Sequence, residues 1–164
     1  MNIFYLDDDP QKIAQYHCDK HVVKMIVESA QLLSNAHHSV CKFCELLPND
    51  GRKIIYNPTH INHPCSIWVM ESTENYRWLI GLAKCLCEEY THRYGKKHKT
   101  EEVISHLSLH NVVGLYTHST PVYLCMPDVY KIHDDPIRSY RSYYIGEKRH
   151  IAKWTKRPIP EWYY

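Results

Sequence analysis

The chain has 164 residues, 44% of them hydrophobic, with 20 Lys and Arg against 18 Asp and Glu and a formal net charge of +2. That length suits one domain with a core of several packed helices. No run of about eighteen apolar residues is present to span a bilayer, the N-terminus lacks a basic region ahead of an apolar one, and the seven cysteines are odd in number and scattered. A membrane-spanning or disulfide-framed secreted chain is therefore not expected, and a reducing, cytoplasmic setting is.

A short extended piece, Asn2 to Leu6, comes first. Pro10 suits a first helical turn, and residues 11–36 set Val22, Met25, Ile26, Ser29 and Leu33 on one stripe, with Ile13 and Ala14 before them, which predicts the first long helix. Residues 39–62 hold Pro48-Asn49-Asp50-Gly51 and Asn57-Pro58 and read as an irregular connection. Asn62 or His63 caps the second long helix, Pro64 opens it, and Ile67, Trp68, Trp78, Leu79, Leu82, Ala83 and Leu86 carry it to about Tyr94, where Gly95 stops it. Tyr56, Trp68, Tyr76, Trp78, Tyr90 and Tyr94 fall among apolar neighbours and are expected to pack rather than to stack on bases.

Thr100-Glu101-Glu102 opens a short helix ending near His110, and Asn111 to Asp128 reads as loop. The last helix is predicted from Asp135-Pro136 to about Thr155, with Pro158 and Pro160 beyond it. No internal repeat breaks this order, so one mainly α domain over residues 1–164 is predicted: three long helices and a short one, an extended N-terminal segment and irregular loops.

Charge is uneven along this frame. Acidic residues crowd the start, while the last third carries Arg138, Arg141, Lys148, Arg149, Lys153, Lys156 and Arg157 among tyrosines and tryptophans. Cations that meet phosphates, interleaved with rings, suit a nucleic-acid surface; a solvated helix with buried tyrosines has the same composition.

Opposite its apolar stripe the first helix carries His17, His21, Lys24, Glu28 and Gln31, spaced three and four apart and so on one face. Lys24 and Glu28 read as an ordinary surface ion pair worth roughly 0.5 kcal/mol, or as part of a site. Cys18-Asp19-Lys20-His21, followed seven residues after the histidine by Glu28, resembles the N-terminal signature of the phage endonuclease V family of pyrimidine-dimer DNA glycosylases, in which an Asp-x-His precedes the catalytic glutamate by two turns. The order continues with Pro58-Thr59 and His63, Glu89, Arg93-Tyr94-Gly95, and Lys153-Trp154-Thr155-Lys156-Arg157-Pro158 before Trp162-Tyr163, so the likeness spans most of the chain.

The resemblance implies a DNA glycosylase with strand-cleaving AP-lyase activity on a damaged pyrimidine in double-stranded DNA, working as a monomer and with no membrane partner. A viral source, and so the cytoplasm of a host, is implied in the same way. In such enzymes the α-amine of the first residue attacks C1′ and expels the base through a Schiff base. As a class α-amines titrate near 7.7 to 8.0, which leaves a neutral fraction at physiological pH. Glu28 would orient the sugar and shuttle protons, with His21 supporting the site. Lys20, Gln31, Arg149, Lys153 and Arg157 would contact DNA, with Trp162 and Tyr163 near it.

The family's nucleophile is a small residue exposed when the initiator methionine is removed, whereas Asn2 is not a residue after which methionine is normally cut. The nucleophile is then the amine of Met1, ranked first, or of Lys24, unless the chain has kept only a non-catalytic DNA-binding scaffold. No cofactor is required by the amine mechanism. A separate reading places zinc on Cys41, Cys44, His60 or His63, and Cys65, because Cys-x-x-Cys followed by His or Cys is a recognised ligand pattern; the alternatives are reduced cysteines and surface histidines, or a metal-dependent enzyme acting on nucleotides or modified bases.

Overall fold

The computed structural model describes residues 1–40, 54–110, 112 and 116–164. Six α-helices follow one another among these residues: α1 (Pro10–Tyr16), α2 (Asp19–Val40), α3 (Pro64–Glu71), α4 (Thr73–Tyr94), α5 (Glu101–Leu107) and α6 (Pro136–Glu147). Single 3-10 turns occupy Asp128–Tyr130, Arg149–Ile151 and Glu161–Tyr163. The chain is thus mainly α, with an isolated bridge between Ser72 and Tyr116 as its strand-like pairing among the described residues.

Three expected boundaries move, each for a local reason. The first long helix is two: His17 turns extended, with φ −62° and ψ 134°, and its Nδ1 lies 2.7 Å from the Ile13 carbonyl oxygen. Past the break the Cys18 N–H donates to the Tyr144 hydroxyl and the Asp19 N–H to the Lys153 carbonyl, so the C-terminal part of the chain takes up donors that an unbroken helix would satisfy internally. The second long helix breaks at Ser72, extended at φ −140° and ψ 138°, whose hydroxyl caps α4 by accepting from Glu74 and Asn75. The last helix stops at Glu147, well short of Thr155, because the chain leaves helical geometry at Lys148 and tightens into the turn at Arg149–Ile151. Gly95 closes α4 as expected, in the left-handed region at φ 68°.

The stripe read from the sequence is buried: Ile13, Ala14, Val22, Met25, Ile26, Ser29 and Leu33 are all at most 5% exposed. It packs on α4, which turns Tyr76, Leu79, Leu82, Ala83 and Leu86 inward, while α3 and α5 close the flanks. Trp68 and Tyr76 are buried as expected, Tyr56, Trp78 and Tyr90 are half-buried, and Tyr94 is exposed. Residues 1–6 have no regular structure yet bring Ile3, Phe4 and Leu6 into the same core. Arg141 of α6 fastens them, its Nε donating to the Leu6 carbonyl at 2.8 Å and its Nη2 to Asp7 at 3.2 Å.

Candidate active site

The amino end of the chain lies on the polar face of α2. The Met1 nitrogen is 3.8 Å from Glu28 Oε1, and the Asn2 N–H donates to Glu28 Oε2 at 2.9 Å. Lys24, one turn before Glu28, reaches Oε1 at 3.2 Å. The Met1 side chain is only 3% exposed although the residue as a whole is half-buried, so what solvent reaches there is main chain. Glu28 itself is 7% exposed, and three donors compensate its charge.

Asn2 fixes this arrangement. Its Nδ2 donates to the Cys125 carbonyl at 2.9 Å, and its Oδ1 accepts from the Ile3 N–H at 2.8 Å and the Tyr140 hydroxyl at 3.2 Å. Phe4 then stacks on His21 at 4.6 Å between ring centroids and meets Tyr144 edge-on at 5.4 Å. Burial, followed by the charges of His17, Lys148 and Lys24, pushes His21 down to about 3. Its ring is thereby held neutral at physiological pH, packed on Phe4 of the first residues.

Two cations, Lys24 and Lys148, thus face the same spot from α2 and from the end of α6. Lys148 was not among the sequence-predicted contacts; its ammonium lies 4.7 Å from the centre of the Tyr143 ring, which stacks on Phe4. Lys20, Arg149 and Lys153 are exposed and Gln31 is half-buried. Arg157 is occupied: it grips Glu89 with Nε at 3.0 Å and Nη2 at 2.8 Å. Trp162 and Tyr163 pack inward, Trp162 against Tyr16 and Tyr144 with the Arg141 guanidinium 5.2 Å over its ring, Tyr163 against Trp154. These three fold the C-terminal tail onto the helices and stay half-buried.

The Asp-x-His and Arg-Tyr-Gly motifs meet behind the site. Arg93 donates to Asp19 at 2.9 Å, to Glu89 at 2.7 Å and to the Gln15 carbonyl at 3.0 Å, and Asp19 also accepts from the N–H and hydroxyl of Thr155. Burial raises the Asp19 carboxyl, but the bonds from Thr155 and Arg93 outweigh it and hold the group below its ordinary value; Glu89 is held down against burial by Arg157 and Arg93. The network joins the start of α2, the end of α4 and the C-terminal tail.

Of the zinc ligands expected from sequence, His63 and Cys65 come together, and His60 is exposed and bonded to Thr59. Cys41 and Cys44 lie outside the described residues. A residue that sequence spacing gave no means of pairing with them completes the group: Cys125, whose Sγ is 3.4 Å from that of Cys65.

A primary amine condenses with a sugar aldehyde to an imine, and a carboxylate beside that amine, here 3.8 Å from the Met1 nitrogen, can orient the sugar and move protons. With exposed lysines nearby on a helical scaffold, the pair has the groups that amine chemistry on a polyanion would need. The family model for pyrimidine dimer DNA glycosylases matches residues 1–102, well over half of the chain, and the chain belongs to that family. The matched span contains Met1, His21, Lys24, Glu28 and the Glu89–Arg93 pair. No curated protein matches the chain, and no solved structure does. Among the described residues no helix is long and apolar enough to cross a membrane.

Proposed function

We propose that the chain, acting as a monomer on double-stranded DNA, excises a damaged pyrimidine through its amino end and then cleaves the strand as an AP lyase. The α-amine nitrogen bonds to C1′ as the C1′–base bond breaks, and the expelled base leaves with a proton. The C1′–O4′ bond then breaks as the amine gives up its proton and O4′ takes one, which opens the sugar ring to an imine; the imine draws electrons from the sugar, so that loss of a C2′ proton expels the 3′ phosphate, and hydrolysis returns the amine. Glu28 is the catalytic carboxylate, orienting the sugar and carrying the protons. Lys20, Lys24, Gln31, Arg149 and Lys153, joined by Lys148, hold the strand. To reach an amine seated on α2 the damaged nucleotide has to leave the stack, with the duplex bent around the opening.

One observation carries this reading beyond family membership: the first two backbone nitrogens both lie at Glu28, at 3.8 and 2.9 Å. An intact Met1 and a chain trimmed to Asn2 therefore present an amine to the same carboxylate. Borohydride reduction during incubation with a duplex carrying a pyrimidine dimer is expected to trap a covalent protein–DNA adduct. Glu28→Gln is expected to lose turnover while keeping duplex affinity. Salt-dependent duplex binding with no adduct on a dimer or an abasic site would leave a binding scaffold and remove the enzyme.

A further inference from the structure

The cluster at residues 63, 65 and 125 has the makings of a metal site that the amine chemistry does not use. One ring nitrogen of His63 and the sulfurs of Cys65 and Cys125 all lie within 4.8 Å of one another. The sulfur–sulfur distance of 3.4 Å is far beyond a disulfide bond of about 2.05 Å. It is close to the edge of roughly 3.8 Å that two thiolates subtend on a tetrahedral zinc with bonds of about 2.3 Å. Closing the set around an ion thus asks for sub-ångström to ångström shifts of side chains, with no refolding.

The donors are also held ready. His63 caps α3, its Nδ1 accepting from the Cys65 N–H at 3.2 Å, which holds the ring against Cys65; the long cap bond is what the imidazole would exchange for an ion. Cys65 sits in the first turn of that eight-residue helix and is buried, so its sulfur has a fixed direction. Cys125 is pinned from two sides, its N–H donating to the Tyr140 hydroxyl and its carbonyl accepting from Asn2.

Two thiolates and an imidazole are a donor set for zinc, and oxygen-seeking magnesium or calcium does not suit it. We propose that His63, Cys65 and Cys125 bind a zinc ion beside the amino end of the chain. Three protein donors leave one coordination position open. Asn2 Oδ1 lies 3.8 Å from the Cys65 sulfur, on the residue whose N–H holds Glu28. Zinc here ties α3 and the loop through Cys125 to the first residues, and its presence is independent of whether the amine is catalytic.

The test uses the full chain, reduced and stripped with a chelator. Zinc titrated against a competing dye is expected to bind with one equivalent, and cobalt put in its place is expected to give the thiolate-to-cobalt charge-transfer band of a tetrahedral sulfur-ligated ion. Cys65→Ser and Cys125→Ser should each weaken binding on the order of a hundredfold or more, with helical circular dichroism unchanged; a double Cys41→Ser, Cys44→Ser variant should bind as the parent does. The proposal is overturned if the reduced parent chain binds no stoichiometric zinc, or if its cobalt complex lacks the thiolate band, a readout that needs no variant to fold. Binding that survives Cys125→Ser and disappears with Cys41 and Cys44 overturns it equally.

Discussion

Lys24 and the amino end compete for one carboxylate, and the contest separates the two amines that the sequence offered as nucleophiles. The Lys24 side chain is 65% exposed and its pair with Glu28 is the kind that contributes at most about 1 kcal/mol, so its removal barely disturbs the fold. The amino end is held in place by Asn2, Ile3 and Phe4. Lys24→Ala is therefore expected to keep the borohydride-trapped adduct, and digestion of the trapped parent protein should place the crosslink on its N-terminal peptide. A crosslink on the peptide containing Lys24 would reverse the assignment. The spacing of His21, Lys24 and Glu28 was legible because helical geometry alone puts residues three and four apart together. Asn2, Lys148 and Cys125 were not, since each joins the site from a distant part of the chain, Asn2 lying 26 residues from Glu28 and Cys125 123 residues from Asn2, and no local period records such a contact.

At the scale of elements, the helices were legible and their interruptions were not. Apolar period located α2 and α4, Pro-led starts located α1, α3 and α6, and Gly95 marked an end. The breaks at His17 and Ser72 are set by partners distant in sequence: Tyr144 and Lys153 take the donors of the first, and the backbone of Tyr116 pairs with Glu71 and Thr73 across the second. A local clue did exist at Ser72, where Glu71-Ser72-Thr73-Glu74-Asn75 interrupts the apolar pattern. What binds the elements together is the Asp19–Arg93–Glu89–Arg157 network, and Arg93 is its buried centre at 2% exposure. Removing one partner of a buried charge network costs about 3–5 kcal/mol, because the charges left behind lose their compensation. Arg93→Ala is expected to lower the unfolding free energy by that amount, measured by urea unfolding at neutral pH. A change below about 1 kcal/mol, the size of an exposed pair, would mean that Asp19 and Glu89 are satisfied without it.

For the molecule as a whole, buried histidines and buried carboxylates make different claims on how it fails in acid. Burial lowers His17 and His37 to about 4 and His21 to about 3, from 6.5 in an exposed histidine. The unfolded chain therefore takes up protons at these positions as pH falls through 6.5, while the native chain does not until it reaches 4 or below. Stability from the three is complete above 6.5 and is lost progressively below it, at about 1.4 kcal/mol per pH unit for each proton. Asp19 and Glu89 are depressed acids, so their contribution is complete above the ordinary carboxylate range and is lost only as pH falls below that range through their native values. The histidine window opens first. Three protons remove roughly 4 kcal/mol per pH unit near pH 5, and a domain holds only about 5–15 kcal/mol in total. Unfolding is thus expected between about pH 6 and 4.5, before the carboxylate network titrates, and urea midpoints should fall steeply across that interval. His37→Gln, which leaves a side chain able to bond the Tyr76 hydroxyl now 2.6 Å from the ring, should shallow the fall by about one proton. Midpoints that stay level down to pH 5 and drop only below 4 would hand control to the carboxylates and show that the histidines are open to water.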